Sequence, residues 1–74
     1  MQTYRNLSGV SGVAAYEIGS DYIKVEFKDG MTYVYTHRSA GEQKIEEMKK
    51  LALNGSGLNT YINKYAKHDY ESKY

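Results

Sequence analysis

Two tyrosines separated by a single residue, Tyr33 and Tyr35, have the side-chain type and spacing best suited to binding a ligand. On an extended strand, residues two apart point to the same face. Two phenol rings on one face can stack on bases, as the aromatic side chains of RNA-binding sheets do. Alternatively, both rings pack beneath helices as part of the hydrophobic core. The choice between these two roles decides the functional interpretation.

Basic side chains could neutralise the phosphates of a nucleic acid that stacks on these rings. The candidate contacts are Lys24, Lys28, Arg38, Lys49, Lys50 and Lys64. The formal net charge is only +1, whereas dedicated phosphate-backbone binders carry a clear basic excess. Any such binding is therefore expected to be weak. Glutamates alternate with the helical lysines, so a solvated helix face with ion pairs is the simpler explanation of those residues.

The segment Gly55-Ser-Gly-Leu-Asn59 precedes a helical pattern, and free backbone amides at a helix start can hold an anion. It lacks the P-loop pattern Gly-x-x-x-x-Gly-Lys-Ser/Thr. A tight link between two helices is the simpler explanation. Ser56 and Gly57 nevertheless remain candidate phosphate contacts beside Lys64.

No combination of residues in this chain is typical of catalysis or of metal binding. His37 and His68 are the only histidines, and neither belongs to a metal-ligand spacing. The chain has no cysteine, which excludes thiolate ligands, a thiol nucleophile and disulfides. We therefore expect no enzymatic activity, no metal and no cofactor.

Length and hydropathy limit the organisation of the chain. With 74 residues it forms at most one domain, whose core must come from its apolar side chains and nine tyrosines. We expect residues 1–12 to be a flexible lead-in, residues 13–70 to be the domain and residues 71–74 to be a tail. Met1 leads into no apolar run, and no stretch approaches the roughly 20 apolar residues of a membrane span. We therefore expect a cytoplasmic protein without a membrane partner.

Alternating apolar and polar residues predict three β-strands, at residues 13–18 and 22–27 and in the segment that follows the Asp29-Gly30 turn and ends at Thr36. A two-residue loop at Asp29-Gly30 would place the two tyrosines of the last strand on its polar face. A three-residue loop, with Gly30 in the left-handed position, would instead place all bulky side chains on one face. We favour the second register, because burial of one face selects the pairing that segregates apolar from polar residues best. It places Val25 opposite Tyr33 and Ile23 opposite Tyr35.

Two helices should follow the strands. Ser39-Ala-Gly-Glu42 matches a capping box, so a helix should run from about Ala40 to Leu53 and stop at Asn54-Gly55. Apolar residues at helical spacing predict a second helix from Leu58. Strands grouped before helices indicate an α+β fold, a three-stranded antiparallel meander with two helices packed on one face (β-β-β-α-α). The predicted core is Tyr16, Ile23, Val25, Phe27, Tyr33, Tyr35, Ile45, Met48, Ala52, Leu58, Ile62 and Tyr65.

Several of these motifs resemble the KTSC domain, a short C-terminal domain of some lysyl-tRNA synthetases that also occurs as free-standing small bacterial proteins. The matching motifs, spread over about Val10 to Tyr70, are Tyr16-Glu17, Ile23-Lys-Val-Glu-Phe27, Tyr33-Val-Tyr35, Gly55-Ser-Gly-Leu-Asn59, Tyr61-Ile62 and Tyr65. Similar proteins often carry a proline where this chain has Thr36-His-Arg-Ser39. The family's function is unknown, and RNA binding has been suggested for it by association with the synthetase.

Two hypotheses from different classes follow. The first is a small KTSC-like module that binds RNA or another nucleic acid weakly. The second is a non-enzymatic protein–protein interaction module, since tyrosine is enriched at interfaces and a short meander has edge strands that could pair with a partner.

Overall fold

The protein folds around an antiparallel sheet whose strand order follows the order of the chain. The structure is a computed structural model that describes residues 1–7, 9 and 11–74. Ser8 and Val10, both within the predicted lead-in, lie outside the described residues. The strands are β1 (Gln2–Thr3), β2 (Val13–Ile18), β3 (Tyr22–Phe27), β4 (Thr32–Thr36) and β5 (Ser72–Lys73), in the order β1-β2-β3-β4-β5.

The α+β class is confirmed, but the prediction of three strands and two helices is wrong. The predicted meander forms the centre of the sheet, and the two ends of the chain add the edge strands β1 and β5. Each edge strand has two exposed residues, which are too few to show the alternation by which a strand is recognised in sequence. Backbone hydrogen bonds hold them, for example from Tyr4 N–H to the Ala14 carbonyl (3.0 Å) and from Glu71 N–H to the Val34 carbonyl (2.7 Å).

The register predicted for the central hairpin is confirmed. Val25 lies opposite Tyr33 and Ile23 lies opposite Tyr35. The turn closes with a hydrogen bond from Phe27 N–H to the Met31 carbonyl (2.9 Å), and Gly30 adopts a φ of +95°. Only glycine adopts such a φ without steric cost, so the turn residue determines which face of β4 carries the tyrosines.

The first predicted helix corresponds to α2 (Glu42–Asn54), and a separate short helix that was not predicted, α1 (His37–Ala40), precedes it. The predicted capping box of Ser39 with Glu42 is wrong, because Ser39 is already engaged one turn earlier. The Thr36 hydroxyl accepts a hydrogen bond from Ser39 N–H, and the Ser39 hydroxyl accepts one from Thr36 N–H, both at 3.0 Å. Gly41 then interrupts the helix with a φ of +92°. The predicted stop is confirmed, since Gly55 has the left-handed conformation that ends α2.

The second predicted helix begins as α3 (Leu58–Tyr61) and continues as five π-helical residues, Ile62–Ala66, called the π segment below. A π-helix winds more widely than an α-helix, with i to i+5 hydrogen bonds. Leu58, Ile62 and Ala66, each four residues apart, consequently face the core. Regular α-helical spacing predicts that Tyr65 is buried as well. That prediction is wrong, because the Tyr65 side chain is 57% exposed.

The hydrophobic core lies between the sheet and the helices. Nine of the predicted core residues are buried, while Phe27 and Tyr33 are half-buried and pack against the core. Tyr4 also belongs to the core, with 4% exposure, and its hydroxyl accepts a hydrogen bond from Leu58 N–H at 3.4 Å. Among the residues that the structure describes, none of the helices combines the length and the apolar character needed to cross a membrane.

Candidate nucleic-acid interface

Four aromatic side chains form a connected cluster at the turn end of the central hairpin. The aromatic cluster consists of Phe27, Tyr33, Tyr35 and Tyr70. Tyr33 is its centre: its ring lies 5.3 Å from Phe27 and 5.0 Å from Tyr70, both edge to face, and 6.3 Å from Tyr35 in a nearly parallel arrangement. Strand geometry explains this, since Tyr33 and Tyr35 share one face of β4 and the C-terminal segment brings Tyr70 beside them.

The two tyrosines of the motif have different environments. Tyr35 is 1% exposed, whereas Tyr33 is half-buried. Burial raises the pKa of the Tyr35 phenol, and the neighbouring Tyr33, Tyr70 and Asp69 raise it further. A phenolate would lose its hydration there, so Tyr35 stays neutral at physiological pH. The interpretation of the motif as core is therefore confirmed for Tyr35, while Tyr33 lies at the border of the core.

Beside this border lies the aromatic groove, a depression of about 350 Å³ between the β3–β4 turn and the helical layer. Phe27, Tyr33 and Tyr35 line it, together with Lys28 from the turn. Asp29 lines it from the same turn, and three further polar side chains come from the helical side. They are Asn59 of α3, Asn63 of the π segment and Lys67, which follows it.

Lysines on both sides of the aromatic groove lack an acidic partner. Within the described part of the chain, neither Lys28 nor Lys67 has a carboxylate at ion-pair distance. Asp29 also lines the groove, but one of its carboxylate oxygens accepts a hydrogen bond from Met31 N–H at 2.9 Å and stabilises the turn. The groove therefore combines apolar aromatic surface with the positive charges of two lysines and the negative charge of Asp29.

A third cation lies on the aromatic cluster itself. The Lys73 ammonium of β5 lies 5.7 Å from the ring centre of Tyr33 and 5.5 Å from that of Tyr70. Both distances are within the range of cation–π attraction. Lys73 is exposed, so its charge also faces solvent near the groove.

Three of the predicted phosphate contacts are instead paired with glutamates. The Lys24 ammonium lies 3.9 Å from a Glu17 oxygen. On α2, the corresponding distances are 3.0 Å from Lys49 to Glu46 and 3.7 Å from Lys50 to Glu47. The two pairs on α2 agree with the prediction that the lysines of this helix form ion pairs with its glutamates. The glutamates reduce the local positive charge available to a phosphate.

Of the predicted contacts without such a partner among the described residues, Lys28 lines the groove and the others do not. Arg38 belongs to α1, which follows the opposite end of β4 from the turn. Lys64 is exposed on the π segment, next in sequence to Asn63. Ser56 and Gly57 are exposed in the link before α3, where Gly57 has a φ of +86°. The link-loop interpretation therefore fits Gly57, whose backbone conformation favours glycine.

Sequence reasoning missed Asn59, Asn63 and Lys67 as candidates. Their spacing carries a signal, because they lie four residues apart, one position beyond the buried series Leu58, Ile62 and Ala66. A polar series beside a buried series marks the edge of a helix where it meets the sheet. The spacing alone does not indicate a site. It does so only together with the groove along this edge, and the tertiary fold determines where that groove lies.

A second pair of tyrosines lies on the outer side of the helices. The rings of Tyr61 and Tyr65 are 5.0 Å apart, beside Lys44 and Glu47. The Lys44 ammonium is bound to Asp69 at 2.7 Å, and Glu47 is paired as described above. These charges are neutralised within the chain, so this surface is less suited to an anionic ligand than the aromatic groove.

Comparisons with protein-family models, with curated proteins and with solved structures find no match to this chain. The resemblance to the KTSC domain therefore stays a prediction based on the motifs themselves.

Proposed function

We propose that this chain is a non-enzymatic, KTSC-like cytoplasmic module that binds single-stranded nucleic acid weakly, with RNA as the principal ligand. One observation carries the proposal: the aromatic groove joins Phe27 and Tyr33 to Lys28 and Lys67, two lysines that have no acidic partner in the described part of the chain. Aromatic surface and positive charge within one depression are what a base with its phosphate requires.

The aromatic surface favours a single-stranded ligand over a duplex. A base that is already unpaired can enter a depression and contact side chains through its ring and its edges. Stacking on an aromatic side chain contributes about 1–3 kcal/mol per base. Because Tyr35 is buried and Tyr33 is half-buried, this contribution is expected to come from one base at the groove.

The charge distribution supports weak binding. The net charge of +1 gives little long-range attraction. Four lysines, however, are paired with nearby carboxylates, while Lys28, Lys67 and Lys73 have no such partner among the described residues. Lys28 and Lys67 outnumber Asp29 among the charged residues that line the groove, so the groove carries a small local excess of positive charge.

Titration of the ¹⁵N-labelled protein with a short single-stranded RNA at low salt tests the proposal. We expect chemical-shift changes at Lys28, Asn59, Asn63 and Lys67, with smaller changes around Arg38, which lies beyond the other end of β4. A duplex of the same length serves as the control and should shift these signals less. The absence of any shift at millimolar RNA would contradict the proposal.

A protein-interaction function is the second candidate, and a separate surface supports it. Met1, Ile18 and Leu53 are 56%, 37% and 58% exposed and line a common hollow. An exposed apolar surface of this kind can pair with itself in a second copy of the chain. Sedimentation of wild type and Leu53→Glu over a range of concentrations tests this. A strictly monomeric wild-type protein would contradict self-association.

A further inference from the structure

Two asparagines on the helical wall of the aromatic groove have free carboxamides. Asn59 is half-buried in α3, and Asn63 is exposed four residues later in the π segment. Neither side chain makes a hydrogen bond to another of the described residues, although both line the groove beside aromatic rings. Polar groups that face apolar rings across a depression are typical of positions that orient a ligand.

Local backbone geometry keeps this wall open. A side chain at Gly12 would place its Cβ 3.8 Å from the Asn59 amide oxygen, so glycine leaves the space in front of that oxygen free. Asn63 lies in the π segment, whose wider winding changes the direction of successive side chains relative to an α-helix. Short π-helical segments occur frequently at functional sites.

A carboxamide presents one donor and one acceptor side by side. The edge of adenine that carries N6 and N7 presents the complementary donor and acceptor. The corresponding edge of guanine, O6 and N7, presents two acceptors, which match the donors of lysine better than a carboxamide. Contact by an asparagine at this edge therefore favours adenine, and contact by a lysine favours guanine.

We propose that the aromatic groove holds one unpaired nucleotide, that Asn59 and Asn63 bind the N7-side edge of its base and so prefer adenine, and that Lys28 and Lys67 bind the adjoining phosphates. This inference rests on the proposed nucleic-acid binding and adds a base preference to it. The lysines contribute to affinity for every base, and the asparagines contribute to the difference between bases.

Fluorescence anisotropy with four single-stranded RNA tetranucleotides, each containing one base, tests the preference at constant salt. We expect the adenine tetranucleotide to bind about tenfold more tightly than the guanine tetranucleotide. Asn63→Leu and Asn59→Leu should remove this difference while leaving the guanine affinity within about twofold. Asn54→Leu, at the exposed end of α2, is the matched control and should preserve the preference.

The outcomes separate the base preference from the proposed function. Equal binding of all four RNAs, unchanged by Asn63→Leu, would overturn the base preference and leave nucleic-acid binding intact. Preference for guanine would also overturn it, since lysine would then contact the base. If none of the four RNAs binds, both proposals fail. If Asn59→Leu is unfolded by circular dichroism, Asn63→Leu alone decides, because Asn63 is exposed and its substitution leaves the core unchanged.

Discussion

The rings of Tyr33 and Tyr35 lie within 14° of parallel with their centres 6.3 Å apart, yet only Tyr35 is buried. One tyrosine of the pair therefore acts in the core, while the other presents part of its ring to the aromatic groove. This arrangement connects the lining of the groove directly to the packing of the sheet.

The stability of the protein should decrease in alkaline solution, partly because of Tyr35. In the unfolded chain its phenol ionises near pH 10, whereas burial raises its pKa in the folded state. The folded state then binds more protons, so stability falls as the pH rises above about 10. Tyr35→Phe should weaken this dependence. Urea denaturation of both proteins at neutral and alkaline pH measures it, and parallel pH profiles would contradict the assignment.

Removal of a groove lysine should weaken RNA binding and its dependence on salt. For single strands, each phosphate contact contributes about 0.7 to the slope of log K against log salt concentration. Lys28→Gln and Lys67→Gln should each reduce the slope by about that amount. Lys50→Gln is the matched control because Lys50 is paired with Glu47. Binding isotherms at several salt concentrations provide the measurement. Equal effects of all three substitutions would indicate binding without a defined site.

Two glycines with positive φ should respond differently to substitution by alanine. Gly30, with a φ of +95°, has open space where a Cβ would project, so Gly30→Ala should cost about 1 kcal/mol of backbone strain. At Gly55, with a φ of +75°, a Cβ would lie 2.7 Å from the Cβ of Arg5. Gly55→Ala should therefore cost more, because the N-terminal segment must move as well. Chemical denaturation measures both, and equal losses would show that the Arg5 contact yields without cost.

The ring of Tyr22 packs directly across Gly19 in the turn between β2 and β3. A Cβ at Gly19 would overlap atoms of that ring, and the Tyr22 hydroxyl donates a hydrogen bond to Glu17 at 2.8 Å. Gly19→Ala should displace the ring and lose this bond, at a cost of about 1–3 kcal/mol. In a Tyr22→Ala background the same substitution should cost much less. A double-mutant cycle measures the coupling, and additive effects would contradict the predicted clash.

The π segment should make neighbouring side chains differ strongly in their contribution to stability. Ile62 is 3% exposed, so Ile62→Ala should cost about 2–5 kcal/mol. Tyr65→Ala should cost far less, because that ring is largely exposed and contacts Tyr61 on the outer side. Thermal unfolding of the two variants provides the comparison. A large loss for Tyr65→Ala would indicate regular α-helical winding in solution.

The parts of the fold predicted correctly from sequence are those that a strong local pattern specifies. Alternation in β3 and β4 together with Gly30 is sufficient to determine the register that places Tyr33 opposite Val25. The wrong prediction for Tyr65 has a different origin. Tyr65 follows α-helical spacing in sequence, and its exposure results from a change in helical winding that no single residue type indicates.

The candidate site is less predictable because it depends on contacts between distant segments. Residue type alone indicates Lys28 as a candidate, but its partners across the groove, Asn59 and Lys67, lie more than thirty positions away in the chain. Ion pairing of Lys24 with Glu17 likewise depends on how β2 and β3 align. Residue type indicates what a side chain can do, whereas the tertiary fold determines which charges remain available.

The agreement between strand order and chain order has a consequence for folding. Neighbouring strands from β1 to β4 are joined by short connections, so each pairing closes a small loop at low entropic cost. The pairing of β4 with β5 instead joins segments on either side of all the helices, and the Thr36 hydroxyl meets Glu71 there across 35 positions. We expect the pairing of β4 with β5 to form last and to open first. Amide exchange at Val34 and Ser72 should therefore report local opening well before the central hairpin unfolds.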